Sequence, residues 1–147
     1  MPTFLVIDDQ AEARAFAVEA LKQLYPDGQC FEATSGYEGL AITEKTKGHI
    51  DLVLLDVSMP HINGVGVCEI LKEADHTRSI PVIMMSAISH QPGERAQAIQ
   101  AGAVAFLSKP FHAAELHGLV RLALPSREDS NPPIATVGPA IVIKPVE

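Results

Sequence analysis

Cysteine is scarce in this chain: Cys30 and Cys68 are the only two among 147 residues. They show no metal-ligand spacing, and one pair possible on count alone is not a disulfide framework. Both are expected as small core residues, Cys30 at the start of a strand and Cys68 within a helix. Basic runs are also missing. Eleven Lys and Arg stand against eighteen Asp and Glu, a net charge of −7, and no cationic cluster interrupts that balance. Direct nucleic-acid binding is therefore not expected, and a cation or a basic partner suits the charge better. No apolar run reaches membrane-spanning length, and no charged segment leads into an apolar one at the N-terminus. A cytoplasmic location without membrane contact is the expectation. Finally, no Gly-rich loop follows the first apolar run, which removes a dinucleotide-binding site.

What is present suits one globular domain: 47% hydrophobic and 20% charged residues over a length sufficient for one good core. Five short, almost continuously apolar runs predict strands at Thr3 to Asp8, Gln29 to Thr34, Leu52 to Asp56, Pro81 to Ser86 and Ala103 to Ser108. Helical periodicity fills the gaps. Ala11 to Tyr25 places Ala13, Phe16, Ala17, Ala20, Leu21 and Leu24 on one face and stops at Pro26-Asp27-Gly28. Gly36 to Thr46 follows with Leu40 and Ile42, and Gly48 is a plausible cap. A third helix over about Gly64 to Ala74 turns Val67, Ile70 and Leu71 inward; a fourth spans about Gly93 to Ala101; a fifth begins after Pro110 and runs to about Leu124. Strand and helix alternating five times predict an α/β, doubly wound parallel sheet with helices on both faces. Residues 1–124 make up that domain. Residues 125–147 begin with the polar, Pro-containing SREDSNPP and suit a linker or tail, in which Ala140 to Ile143 could form an edge strand or dock on a partner.

The chemistry lies at strand ends. FLVIDD, DLVLLD and VAFLSKP each finish an apolar run with Asp8-Asp9, Asp56 and Lys109. In a parallel sheet those ends share one edge, where ligands bind. Adjacent carboxylates raise each other's pKa unless a cation neutralises them, and Mg²⁺ accepts a small set of oxygen ligands while keeping waters. Asp9 alone is equally explained as a helix cap. Asp56, after four apolar residues, could be a nucleophile toward a phosphoryl group or an ordinary turn residue. Ser86 ends the fourth run, where its hydroxyl could meet a phosphoryl oxygen or serve as a cap. Lys109 could pair with a carboxylate and a phosphoryl group, although a lone lysine is ordinarily solvated. The six histidines show no metal-binding pattern: His112 and His117, five apart, do not share a helix face.

Four strands in order thus end in an acidic pair, a nucleophile, a hydroxyl and an ammonium. VIDDQ, LLDVSMPHING, MMSA and GAVAFLSKPF, spread over Thr3 to Leu124, resemble the receiver domain of two-component response regulators of the chemotaxis-regulator type. The run from Asp56 through Met59-Pro60 to Gly64, with Lys109-Pro110, carries the resemblance most specifically. It implies a flavodoxin-like fold with strand order 2-1-3-4-5 and five helices. It further implies that Asp56 accepts a phosphoryl group from a histidine kinase or histidine phosphotransfer protein. Asp9 would bind Mg²⁺ directly, Asp8 largely through water, and Ser58 through its backbone carbonyl. Lys109 would stabilise the acyl phosphate, and the Lys109-Pro110 bond would be cis. Ser86 and Phe106 would be the switch pair, the aromatic turning inward, with output through the fourth helix, fifth strand and fifth helix. By that resemblance the chain would be a signalling module rather than an enzyme, catalysing only its own phosphorylation and dephosphorylation.

The sequence departs from the family in places. Ala103-Val104-Ala105 replaces acidic residues frequent in transcription-factor receivers, so their charge-paired dimer is not expected. Ala87 leaves the phosphoryl site open, and the apolar Ile88 is expected to slow hydrolysis. Stand-alone receiver and receiver portion of a larger regulator both remain open. The alternative is an Asp-nucleophile, Mg²⁺-dependent phosphatase of the haloacid dehalogenase type. That family needs a second Asp two residues after the nucleophile, where Ser58 stands.

Overall fold

A computed structural model describes residues 1–87 and 93–124 in full and 141–142 by their backbone. Ile88, His90 and the rest of the segment after Leu124 lie outside the described residues. The elements are β1 (Thr3–Ile7), α1 (Ala11–Leu24), β2 (Gln29–Ala33), α2 (Gly36–Lys45), β3 (Leu52–Asp56), α3 (Gly64–Glu73), β4 (Val82–Ser86), α4 (Glu94–Ala101), β5 (Ala105–Ser108), α5 (Ala113–Ala123) and β6 (Ile141–Val142). The sheet order is β2-β1-β3-β4-β5-β6. The first five strands are parallel, giving the expected 2-1-3-4-5 arrangement. The short β6 adds an antiparallel edge, pairing Phe106 with Ile141 and Ala105 with Val142.

Each central strand is apolar throughout because both of its faces are covered. Phe4, Val6, Leu52, Leu54, Ile83, Met85, Ala105 and Leu107 pack with α1 and α5 residues such as Leu21, Leu116 and Val120. The alternate residues Leu5, Ile7, Val53, Leu55, Val82, Met84 and Phe106 pack with Val67, Cys68, Leu71 and Ala98 from α3 and α4. This period-two division is what a strand between two helical layers requires. β2 is the exception. It lies at the sheet edge and buries only Ala33 fully, so its QCFEA sequence is mixed rather than apolar.

Two inward assignments are corrected. α1 buries Ala17, Ala20 and Leu21, whereas Phe16 is 46% exposed and packs edge-on against Phe111, ring centroids 5.6 Å apart. α3 buries Gly64, Val67, Cys68 and Leu71, an i, i+3, i+4, i+7 stripe that leaves Ile70 at its margin, 44% exposed. Cys68 lies in that stripe as the small core residue expected, its thiol 3.4 Å from the Ala101 carbonyl. Burial pushes that thiol up to about 11, as befits an inert core cysteine. Cys30 is half-buried, and both cysteines are free.

Candidate functional site

Register brings the site together. In the β1–β3 pairing Ile7 stands opposite Leu55, so the next residues, Asp8 and Asp56, emerge level at the same edge. On β4 and β5, Ser86 stands opposite Ser108, and Lys109 follows directly. Lys109 stays in that register because its backbone N–H donates to the Ser86 carbonyl at 2.6 Å. One carboxylate oxygen from each of Asp8, Asp9 and Asp56 lies within 4.8 Å of the others. Asp8 is fully buried and Asp56 nearly so, while Asp9 is exposed.

Asp9 does not cap α1. The N-cap position belongs to Gln10, which makes no side-chain cap bond, and the Gln10 N–H instead donates to Asp8 Oδ1 at 2.9 Å. Arg14 adds a second tether, its Nη1 donating to the Asp8 carbonyl at 2.8 Å. The Lys109 ammonium lies 2.7 Å from Asp8 Oδ2 and 3.6 Å from Asp56 Oδ1. One cation facing three carboxylates leaves the pocket negative. Burial pushes the Asp56 carboxyl up to about 7; Asp8 and Asp9 add to the rise, while Lys109 and the Ser58 backbone N–H oppose it. Hard, oxygen-only donors with surplus negative charge fit Mg²⁺.

The remaining site residues are placed unequally. Ser58 is exposed in the loop after β3, with its N–H turned back to Asp56. The Lys109-Pro110 bond is cis. Gly64 explains the glycine of the Asp56 run: a Cβ there would come 2.4 Å from the Asp56 carbonyl oxygen, so only glycine lets α3 begin this close. Phe106 is fully buried, with the Arg95 guanidinium 5.8 Å from its ring centroid. Ser86 is buried, and its hydroxyl donates to Glu94 Oε1. Sequence reasoning missed Glu94: in the first turn of a polar helix it looks like an ordinary solvated residue, and only tertiary packing buries it. Arg14 was missed for the same reason.

Two clefts flank the cluster. One, of about 540 Å³, is lined by Val57, Ser58, Met59, Asn63, Glu94 and Gln97. The other, of about 500 Å³, runs beside Lys109 past Gln10, Ala13, Phe16, Ala87 and Phe111. Among the described residues, no helix is long and apolar enough to cross a membrane.

Known proteins resemble this chain in sequence and fold. The family model described as "response regulator receiver domain" matches residues 4–121. The chain is 33% identical over 135 residues to the DNA-binding dual master transcriptional regulator RpaA of Synechocystis sp., covering 92% of this chain and 54% of that one. It is 34% identical over 119 residues to the response regulator PleD of Caulobacter vibrioides, covering 80% of this chain and 25% of that one. The chain spans about half the length of the first of these relatives. Among solved structures, a response regulator from Chloroflexus aurantiacus superposes with a TM-score of 0.76 at 27% identity, covering 84% of this chain and 98% of that one. The chemotaxis protein CheY4 of Vibrio cholerae shares the fold with a TM-score of 0.75 at 23% identity, covering 84% and 99%. With its family match running from β1 into α5, the chain belongs to the receiver domains of two-component response regulators.

Proposed function

We propose that this receiver accepts a phosphoryl group on Asp56 from a phosphohistidine donor, a histidine kinase or a histidine phosphotransfer protein. A carboxylate oxygen of Asp56 attacks phosphorus as the bond to the donor imidazole breaks, and the electron pair leaves with the imidazole nitrogen. The product is an acyl phosphate on Asp56. Water later attacks it, releasing inorganic phosphate and restoring the carboxylate. One observation carries this reading: a buried Asp56 shares its pocket with Asp8, Asp9 and the Lys109 ammonium at one sheet edge.

Asp8, Asp9, Asp56 and the Ser58 backbone carbonyl would hold Mg²⁺, which when bound neutralises the clustered carboxylates and the transferring phosphoryl oxygens. Lys109 stands 3.6 Å from Asp56 Oδ1, close enough to follow charge as it moves onto the phosphoryl group. Ser86 and Phe106 form the switch, and α4, β5 and α5 the output face. With no hydroxyl on Phe106, the aromatic acts through packing alone. The exposed Phe16 and the half-buried Phe111 beside it, on the cleft that reaches Lys109, suit an apolar patch on the donor. Residues 1–124 are the folded receiver, followed by a linker or tail.

Intact-mass measurement after incubation with Mg²⁺ and acetyl phosphate tests the reading. One phosphoryl adduct is expected on the wild-type chain, and none on Asp56→Asn or when Mg²⁺ is chelated. An adduct that persists in Asp56→Asn would contradict it.

A further inference from the structure

Glu94 and Arg95 are consecutive residues in the first turn of α4, and each engages a different strand. Glu94 Oε1 accepts the hydrogen bond from Ser86, the last residue of β4. Arg95 places its guanidinium over the ring of Phe106 on β5. Glu94 is 8% exposed, an uncommon burial for a carboxylate, and it lines the cleft whose other wall is the Val57–Pro60 loop following Asp56. Among the described residues no side chain caps α4: its N-cap is Gly93, and the Glu94 carboxylate is the acidic group in the first turn, at the positive end of the helix. The helix end and the Ser86 hydroxyl together make this burial tolerable.

A serine hydroxyl has a single proton and can donate to one acceptor at a time. Among the described residues its other acceptor, the Ala87 carbonyl at 3.3 Å, is at the outer limit of a hydrogen bond. We propose that Glu94 is a positioning residue that competes with a phosphoryl group on Asp56 for the Ser86 proton. This rests on Asp56 being the phosphoacceptor. When the Ser86 hydroxyl turns to the phosphoryl oxygens, the Glu94 carboxylate loses its partner while a new anion with nearly two charges forms close by. A buried carboxylate without a partner is unfavourable, and the two anions repel. The first turn of α4 then moves outward. Because Arg95 is the next residue, the same motion lifts the guanidinium off Phe106. One turn of helix thus couples the state of Asp56 to the α4–β5 surface, without needing a hydroxyl on Phe106.

The test uses beryllofluoride with Mg²⁺, a reversible phosphoryl mimic, titrated onto the full chain and followed by amide chemical shifts. Removing the competitor should tighten binding: Glu94→Ala on the order of tenfold, since a hydrogen bond to a charged group is the stronger kind. Glu94→Gln, isosteric and still an acceptor but uncharged, should fall between it and wild type. In a Ser86→Ala background the Glu94 effect should shrink, because there is no proton to compete for and only the repulsion between the two anions is left. Wild-type saturation should also shift the amides of Arg95 to Ala101, and Ser86→Ala should suppress those shifts. Equal affinities for wild type, Glu94→Gln and Glu94→Ala would overturn the inference. So would an unchanged Glu94 effect in the Ser86→Ala background, which would reveal a plain field effect. In both cases the mimic still binds wild type, and the phosphoacceptor reading stands. If the mimic binds no variant and acetyl phosphate leaves no adduct on the wild type, that reading falls and the inference with it.

Discussion

Asp56 is a carboxylate placed where its charge is uncomfortable. Its pKa lies near 7 against an ordinary 3.8, chiefly through burial. The folded state therefore holds a proton over a range in which the unfolded chain has lost it. Stability from this group is fully present below about pH 4 and is lost as pH rises through 7. In Mg²⁺-free urea titrations Asp56→Asn should flatten that decline and gain roughly 1–3 kcal/mol at pH 8. A variant as pH-sensitive as wild type would place the strain elsewhere. Asp9 gives the complementary case. It is exposed and caps nothing, so Asp9→Asn should change Mg²⁺-free stability by no more than about 0.5 kcal/mol. The same substitution should abolish the rise in melting temperature that Mg²⁺ gives the wild type, measured by calorimetry with and without chelator. A full Mg²⁺ response in Asp9→Asn would remove it from the ligand set.

At the scale of elements, the sheet edge is set by where strands stop and how tightly helices follow. α3 begins against the backbone of Asp56, and Gly64 makes that approach feasible. Gly64→Ala should cost about 1–3 kcal/mol in urea unfolding and weaken Mg²⁺ binding, because the Asp56 carbonyl or the helix start must give way. A neutral Gly64→Ala would show that the loop yields freely. The strands were legible because central parallel strands are apolar on both faces, a signal that needs no neighbours to interpret. Helix existence was legible too, but not every buried face. Phe16 and Ile70 fit a helical stripe, yet α1 and α3 bury narrower ones centred on Ala17–Leu21 and Val67–Leu71. Which margin of a stripe is covered depends on the crossing angle with a partner helix, and local periodicity does not contain it.

The same division holds for the whole molecule. Asp8, Asp56 and Lys109 could be placed together from sequence because parallel topology forces strand ends to one edge. Glu94 could not: its burial depends on how α4 sits on β4 and β5. The family match shares this extent, ending at residue 121 within α5. Among the described residues, both core layers are built from residues up to Leu124, and β6 adds two backbone-paired residues at the edge. A chain shortened to residues 1–124 should therefore unfold cooperatively and bind Mg²⁺ as the full chain does, by circular dichroism and calorimetry. Loss of cooperative unfolding would give the segment after Leu124 a structural role.

Asp56, and no other carboxylate in the cluster, is expected to receive the phosphoryl group. Borohydride reduces an acyl phosphate to an alcohol, so reducing the acetyl phosphate-treated protein and mapping its peptides by mass spectrometry locates the modified residue. The expected result is homoserine at position 56 and unmodified aspartate at positions 8 and 9. Homoserine at position 8 or 9, or an adduct that resists borohydride, would contradict it.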